Sequence, residues 1–377
     1  MYGFIVLVLV FFLNQHHAAT TGRNISEEDE LITVVTVYRH GDRAPIKPIP
    51  TSKYCDPSYW PMGFGHLTKF GIERQYDLGK WLRKRYDFLL SPTYKASEIY
   101  VRSTDEDRVL MSAYSNLAGL YPPQGSQVWN DRIFWQPIPV HTIPRNIDDV
   151  IVEKRSCPKY DTLLKATIKS DYFSRINDKY ADLYKTISNW TGIDVSDVED
   201  IKLIRSTLYA IKSYNATYLP EWEKDMNWHL IDNLAGLAYF RYTSTPTMKR
   251  LKSGPFFHYL LNHLDLATST NRASPAPKML MISAHDTSLS GILNSMGVFD
   301  GYPPDFAATV IWELKKRRNG ERYINLYFKS EKGLERLRII GCEIDCDYGT
   351  FKDIMQNVAI SIGSWAKECN RLSEKFV

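Results

Sequence analysis

The sequence predicts an α/β fold: a doubly wound, mostly parallel sheet flanked by helices, with a smaller helical domain inserted in the chain. Three observations predict it. At Leu31 to Tyr38, Glu98 to Arg102 and Lys278 to Ser283, a strand-like run leads through a polar turn into residues at helical spacing. From roughly Pro158 to Leu266, apolar residues recur at helical spacing and strand signals are sparse. The length, 377 residues, exceeds the usual size of one compact core, so an insertion or a second domain is expected.

Composition supports a folded chain, with 44% hydrophobic and 24% charged residues and no low-complexity tract. The net charge of +4 is spread along the sequence rather than gathered in a patch, so no nucleic-acid partner is expected.

The elements follow in chain order. Phe4 to Leu13 is an apolar run of ten, too short to span a bilayer, and small and polar residues follow it. It reads as a secretory signal peptide over residues 1–20. The sequons at Asn24, Asn189 and Asn215 fit that route as glycosylation sites. Leu31 to Tyr38 is a buried strand, and Arg39-His40-Gly41-Asp42-Arg43-Ala44-Pro45 is the turn that leaves it. After a proline-rich loop, Leu78, Trp81, Leu82, Tyr86 and Leu89 mark a helix within Thr68 to Leu90. Glu98 to Arg102 is the second strand, and Ser103-Thr104-Asp105-Glu106 reads as a capping box opening a helix to about Ala118. Residues 158–269 form the inserted helical domain, and residues 21–157 with 270–377 form the α/β domain. The Ser- and Pro-rich loop Ser269 to Pro277 returns the chain to the sheet at Lys278 to Ser283. His285-Asp286-Thr287 and a short helix to about Ser295 follow. Strand-like segments at Thr309 to Leu314 and Tyr323 to Phe328 flank Asn319-Gly320, which makes the basic cluster Lys315 to Arg318 a solvated hairpin tip. No second long apolar segment appears and Arg371 to Lys375 is polar, so no stable membrane anchor is expected.

Five cysteines lie outside the signal, which fits an oxidising compartment and leaves one unpaired. Cys342 and Cys346 lack neighbouring His or Cys to complete a metal site, so a local disulfide is the better reading. Cys157 with Cys369 would then close a long loop and leave Cys55 over. Spacing alone does not choose among the pairings.

The chemistry comes from the three strand ends. In open parallel sheets the residues after the strand carboxyl ends converge on one crevice. A phosphomonoesterase needs a nucleophile, cations for the equatorial oxygens and an acid for the leaving alkoxide. His40 is the candidate nucleophile, forming a phosphohistidine, and Gly41 is expected to let the backbone approach the phosphate. Arg39, Arg43 and Arg102 are the candidate phosphate clamps, with His285 as a further donor. Asp286 is the candidate proton donor, since a carboxyl beside a dianionic phosphate is disfavoured as an anion. No metal or other cofactor is required. Singly, each residue has an ordinary structural explanation; three matching positions after three strands favour catalysis. Activity should fall as pH rises through the values of His285 and Asp286 in the complex.

These segments resemble the histidine acid phosphatases, a branch of the histidine phosphatase superfamily. Arg39 to Pro45 is similar to the family signature. Gly63 to Thr68 with Gly71, Leu78-Gly79 and Leu82 to Tyr86 resembles its first helix, and Val101 to Asp105 with Asp107-Arg108 its second arginine segment. Trp135 to Thr142 and Ser283 to Thr287 are similar to the segments that follow, in the family's order, from about residue 30 to 370. The resemblance implies a secreted or lysosomal acid phosphatase that uses no metal and is inhibited by tartrate. It assigns His40 as nucleophile, Asp286 as acid, and Arg39, Arg43, Arg102 and His285 as phosphate ligands. It also implies pairing of Cys157 with Cys369 and Cys342 with Cys346, and a homodimer through Trp135 to His141, as in secreted prostatic-type members. Three departures stand out: a third disulfide seen in vertebrate relatives has no partners here, Cys55 is extra, and His66 stands where Gln is usual. A mutase or phytase shares the Arg-His-Gly turn but differs around the continuation and the His-Asp pair. A binding protein on this fold would be expected to lose His40 or an arginine, and both are present. The physiological substrate and the tissue of destination are not encoded in any motif.

Overall fold

The computed structural model describes residues 29–151, 156–269 and 276–370. The expected signal peptide, the Asn24 sequon, most of the loop after Ser269 and the polar C-terminus lie outside the described residues. The described residues form seven strands: β1 (Glu30–Arg39), β2 (Ile99–Ser103), β3 (Met279–Ala284), β4 (Thr309–Lys316), β5 (Arg322–Ser330), β6 (Gly333–Leu337) and β7 (Cys346–Asp347). The helices are α1 (Lys69–Arg85), α2 (Asp107–Leu120), α3 (Pro158–Ile168), α4 (Asp171–Lys179), α5 (Ala181–Thr191) and α6 (Val198–Tyr214). They continue as α7 (Trp228–Arg241), α8 (Pro246–Thr268), α9 (Asp286–Ser295), α10 (Tyr348–Gln356) and α11 (Ile362–Asn370).

The sheet order is β2-β3-β1-β4-β5-β6, with β7 paired to β5. β1 and β2 each pair with β3 in parallel, whereas β4, β5, β6 and β7 join antiparallel. The expected parallel sheet is thus the half that carries the site. The Lys315 to Arg318 cluster sits where β4 and β5 turn back on each other, and Gly320 supplies the positive φ the turn requires.

Strand periodicity of two divides the core into layers. Val34 and Tyr38 of β1, with Met279 and Met281 of β3, pack against Leu78 and Leu82 of α1 and Ala113 and Leu117 of α2. Val35, Val37, Leu280 and Ile282 face the other way, onto Phe256, Phe257 and Leu260 of α8 and Leu289 and Ile292 of α9. The helical part has its own core of Phe173, Tyr184, Ile187, Ile201, Leu208, Ile231 and Leu234 from α4 to α7. Packing therefore changes partner between α7 and α8, not near residue 269, because α8 buries its apolar face on the sheet. The sequence shows that α8 is a helix but not which core its stripe faces.

Both expected disulfides are formed, Cys157 with Cys369 and Cys342 with Cys346, and Cys55 is a free thiol. The first joins the start of α3 to α11 around Leu251, Ile360 and Trp365.

Candidate active site

Register brings three strand ends level: Arg39 stands opposite Ala284, and Ser103 opposite Ser283. The His40 N–H donates to the Ala284 carbonyl at 3.0 Å and the Thr104 N–H to the Ser283 carbonyl at 3.3 Å, so the pairing continues past the strands.

The loop after β1 is buried from Arg39 to Ala44, so its polar groups need partners, and α1 and α2 supply them. Arg74 forks onto the Asp42 carboxylate, with Nε at 2.6 Å and Nη2 at 3.1 Å. The Thr68 N–H and hydroxyl donate to the Asp42 carbonyl at 2.8 and 3.2 Å. The Gly41 N–H donates to Ser112 Oγ at 3.0 Å, and Gln75 Nε2 donates to the Arg39 carbonyl at 2.8 Å. Arg74 thus occupies the one acid of the motif, which leaves the motif arginines to other anions. Gly41 has a different task from the expected one. A Cβ on it would lie 2.3 Å from the Gly71 carbonyl oxygen, and a Cβ on Gly71 would lie 2.2 Å from the Asp42 carbonyl oxygen. Glycine at both positions lets the first turn of α1 seat against the loop.

The His40 Nδ1 lies 2.8 Å from the Gly41 carbonyl. A carbonyl only accepts, so Nδ1 carries the proton and Nε2 keeps its lone pair. Burial first, then the charges of Arg108, Arg39, His285 and Arg43, hold this imidazole well below its usual range. A neutral, nucleophilic ring therefore persists in acid.

Asp286 opens α9 beside it. Its Oδ2 lies 2.8 Å from Arg39 Nη2, and its Oδ1 accepts from the Thr287 N–H at 2.8 Å. Burial alone would raise this carboxyl, but Arg39, His40, Arg43 and His285 overcome that and hold it far below the ordinary carboxylate range. Beside these cations Asp286 is an anion. The Arg39 guanidinium also donates from Nη1 to the Pro304 carbonyl at 2.6 Å and lies 4.2 Å from the centre of the Phe306 ring.

Arg43 donates from Nη2 to Ser206 Oγ of α6 at 2.8 Å. Burial, with Arg39 and Arg108 nearby, pushes it down to about 9, so it stays charged in acid. Arg108, in the first turn of α2, pairs with Glu106 and is lowered chiefly by burial. The His285 Nε2 lies 3.0 Å from Thr104 Oγ1, and burial pushes this ring down to about 4. The His40 and His285 rings meet edge to face with centroids 5.7 Å apart.

A cavity of about 190 Å³ joins these groups: His40, Arg43, Arg108, His285 and Asp286 line it, with Lys202, Leu203 and Ser206 of α6 and Tyr239 of α7. Of the residues picked from the sequence, His40, Arg43, His285 and Asp286 meet there, and Arg39 reaches it through Asp286. Arg102 does not. Its Nη2 lies 2.7 Å from Asp148 Oδ1 and its guanidinium 5.5 Å from the Tyr259 ring, both away from the cavity. Alternation explains the difference, since Arg102 shares a face with Tyr100, which packs toward α8, while Val101 faces α1 and α2.

The second guanidinium lining the cavity, beside Arg43, is Arg108, and a signal for it exists in the sequence. A cation in the first turn of a helix opposes the macrodipole, and a locally unfavourable charge asks for a reason. The capping box is also absent: Glu106 is the N-cap, with no side-chain cap bond, and Thr104 turns to His285 instead. The walls from α6 and α7 carry no sequence signature, because side chains from the helical part reach the cavity only through tertiary packing.

Residues 30–329 match the model of the histidine phosphatase superfamily, branch 2. The chain is 36% identical to prostatic acid phosphatase of Homo sapiens over 347 residues, covering 90% of this chain and 88% of that one. It is 35% identical to lysosomal acid phosphatase of Xenopus laevis over 355 residues, covering 93% of this chain and 81% of that one. Among solved structures, Hafnia alvei phytase in complex with tartrate superposes with a TM-score of 0.68 at 15% identity, covering 88% of this chain and 97% of that one. That likeness speaks to the fold alone.

Proposed function

The chain belongs to branch 2 of the histidine phosphatase superfamily, and from that premise we infer that it is an acid phosphatase hydrolysing phosphate monoesters through a phosphohistidine. The observation that carries the reading is His40: a neutral imidazole with Nε2 unprotonated, beside Arg39, Arg43 and Arg108 and lining the same cavity as the partly buried Asp286 carboxyl.

Binding of a phosphate dianion gives Arg39 a competing partner for Asp286. The carboxyl then loses part of its counter-charge and gains a like-charged neighbour, so it takes up a proton. The His40 Nε2 attacks phosphorus as the ester P–O bond breaks, and Asp286 gives its proton to the departing oxygen. Arg43, Arg108 and His285 hold the equatorial oxygens as charge redistributes. Water next attacks the phosphorus and passes a proton to Asp286, the N–P bond breaks, and inorganic phosphate leaves. The step needs a protonated carboxyl and a neutral imidazole together. Activity therefore declines as pH rises through the Asp286 value in the complex, while depression of His40 keeps it usable in acid.

Asp286→Asn tests the donor. Turnover of an alkyl phosphate should fall by a factor on the order of 10² to 10⁴, and that of a nitrophenyl phosphate much less, because a good leaving group needs little protonation. Steady-state kinetics with both esters decides it, and equal losses would count against this role.

The destination is the secretory route, extracellular or lysosomal, as for the prostatic and lysosomal relatives. Among the described residues no helix is long and apolar enough to cross a membrane. Asn189 and Asn215 are the proposed glycosylation sites, and the helices α6 and α7 are proposed to shape the leaving-group side of the cavity. A homodimer through Trp135 to His141 is the reading for assembly, supported by the adjoining exposed aromatics Trp129 and Phe134, the latter 81% exposed. Sedimentation equilibrium should give twice the chain mass, and Phe134→Asp with Trp135→Ala should halve it. A monomer before substitution would reject the dimer.

A further inference from the structure

Glu106 occupies a place that its role in local structure does not explain. It is the N-cap of α2, yet its side chain makes no cap bond to the helix. Its carboxylate turns to the cavity wall, where it pairs with Arg108 and lies 3.4 Å from Arg145 Nη1 and 3.5 Å from His285 Nε2. Three basic groups from three segments share one carboxylate, whose Oε2 is buried without a hydrogen bond. Two of the three line the cavity.

We propose that Glu106 is a positioning residue for phosphate binding, holding the Arg108 guanidinium against the cavity and keeping a proton on His285 Nε2 so that Nδ1 of the same ring can donate to the phosphate. This rests on the phosphatase reading and extends it to the pH dependence of phosphate binding.

Geometry and charge agree. Thr104 Oγ1 is the hydrogen-bond partner of Nε2 and the Glu106 carboxylate faces the same nitrogen as a charge, without a hydrogen bond, so Nδ1 is the remaining ring nitrogen. A ring that donates at both nitrogens is a cation. The groups facing His285 are Glu106 and Arg108 at the start of α2, Arg145 from the loop before Asp148, His40 at the end of β1 and its neighbour Asp286. Burial acts most strongly against a charged ring, and Arg108 and Arg145 act in the same direction. Glu106 and Asp286 oppose them. When Asp286 is protonated for its own step it no longer helps, which leaves Glu106 and the bound phosphate to sustain the imidazolium.

The test measures inorganic phosphate affinity against pH by calorimetry on the full-length protein, with turnover of an aryl phosphate alongside. For Glu106→Gln the pH at which affinity declines should move acidward by about one unit, with affinity about fivefold weaker at the original midpoint and roughly tenfold weaker well above it. Glu106→Asp should recover part of the shift. The Arg145 side chain is 45% exposed, so Arg145→Gln offers a second variant that the fold should tolerate. It removes a cation competing for Glu106 and should move the decline to higher pH. Opposite shifts in the two variants establish the role. Profiles that superimpose on the unsubstituted protein overturn it, whatever happens to the melting temperature. If the unsubstituted protein neither binds phosphate nor turns over the ester, the phosphatase reading itself has failed. If it does both and the variants do not shift, only this inference has.

Discussion

Replacing His40 with alanine should lower turnover of an aryl phosphate by a factor on the order of 10⁴ or more. The arginines that hold phosphate would still be in place, so inorganic phosphate should bind the variant within about tenfold of the original affinity. The ring makes a single described hydrogen bond, to the Gly41 carbonyl, and sits among cations that disfavour its charged form. Its loss should therefore cost little stability. Rapid-quench kinetics and denaturant unfolding of the same preparation separate these effects. Activity within tenfold of the parent would move the nucleophile elsewhere.

Arg108 and Arg102 should respond in opposite ways. Arg108 lines the cavity, at a helix N-terminus that does not favour a cation. Arg108→Gln should lower kcat/KM by about 10²- to 10³-fold, the scale of one lost charge-stabilising donor, and weaken phosphate inhibition, with stability nearly unchanged. Arg102 is buried in its pair with Asp148, whose Oδ1 also accepts from the N–H groups of Val150 and Ile151 at 3.0 and 3.1 Å. Arg102→Met leaves that carboxylate without its cation inside the protein, which costs about 3–5 kcal/mol of stability. Activity per folded molecule should stay within a few fold. A variant at Arg102 that folds normally and loses phosphate binding would reverse the assignment made from the geometry.

This pair also marks how much of the site the sequence carries. His40, His285 and Asp286 are legible because they come within two residues of a strand end in the parallel half, where chain order and spatial order coincide, and Arg43 because it shares the turn of His40. The same rule points to Arg102, but that residue is still within β2, and alternation turns it toward Tyr259. Arg108 lies beyond the turn, where its place depends on how α2 starts. The long helices were read from their spacing, whereas the antiparallel extension through β4, β5 and β6 was visible only as a hairpin, since strand order depends on contacts distant in sequence. The division between the two layers of helices was least legible: α8 carries apolar residues around much of its circumference and buries them against the sheet. Beside His40, Gly41 suggests room for a ligand, yet it makes room for Gly71, a contact across 30 residues that only the tertiary structure reveals.

The central claim is a phosphoryl group carried on one nitrogen of one histidine. Mixing the protein with excess aryl phosphate, quenching within milliseconds in alkali and mapping the phosphopeptide by mass spectrometry tests it most directly. The Nδ1 proton is committed to the Gly41 carbonyl, so the account predicts stoichiometric phosphoryl transfer to Nε2 of His40 and none in His40→Ala. Phosphorylation of His285 or of Asp286, or full turnover with no trapped phosphoenzyme and no burst of phenol, would contradict it.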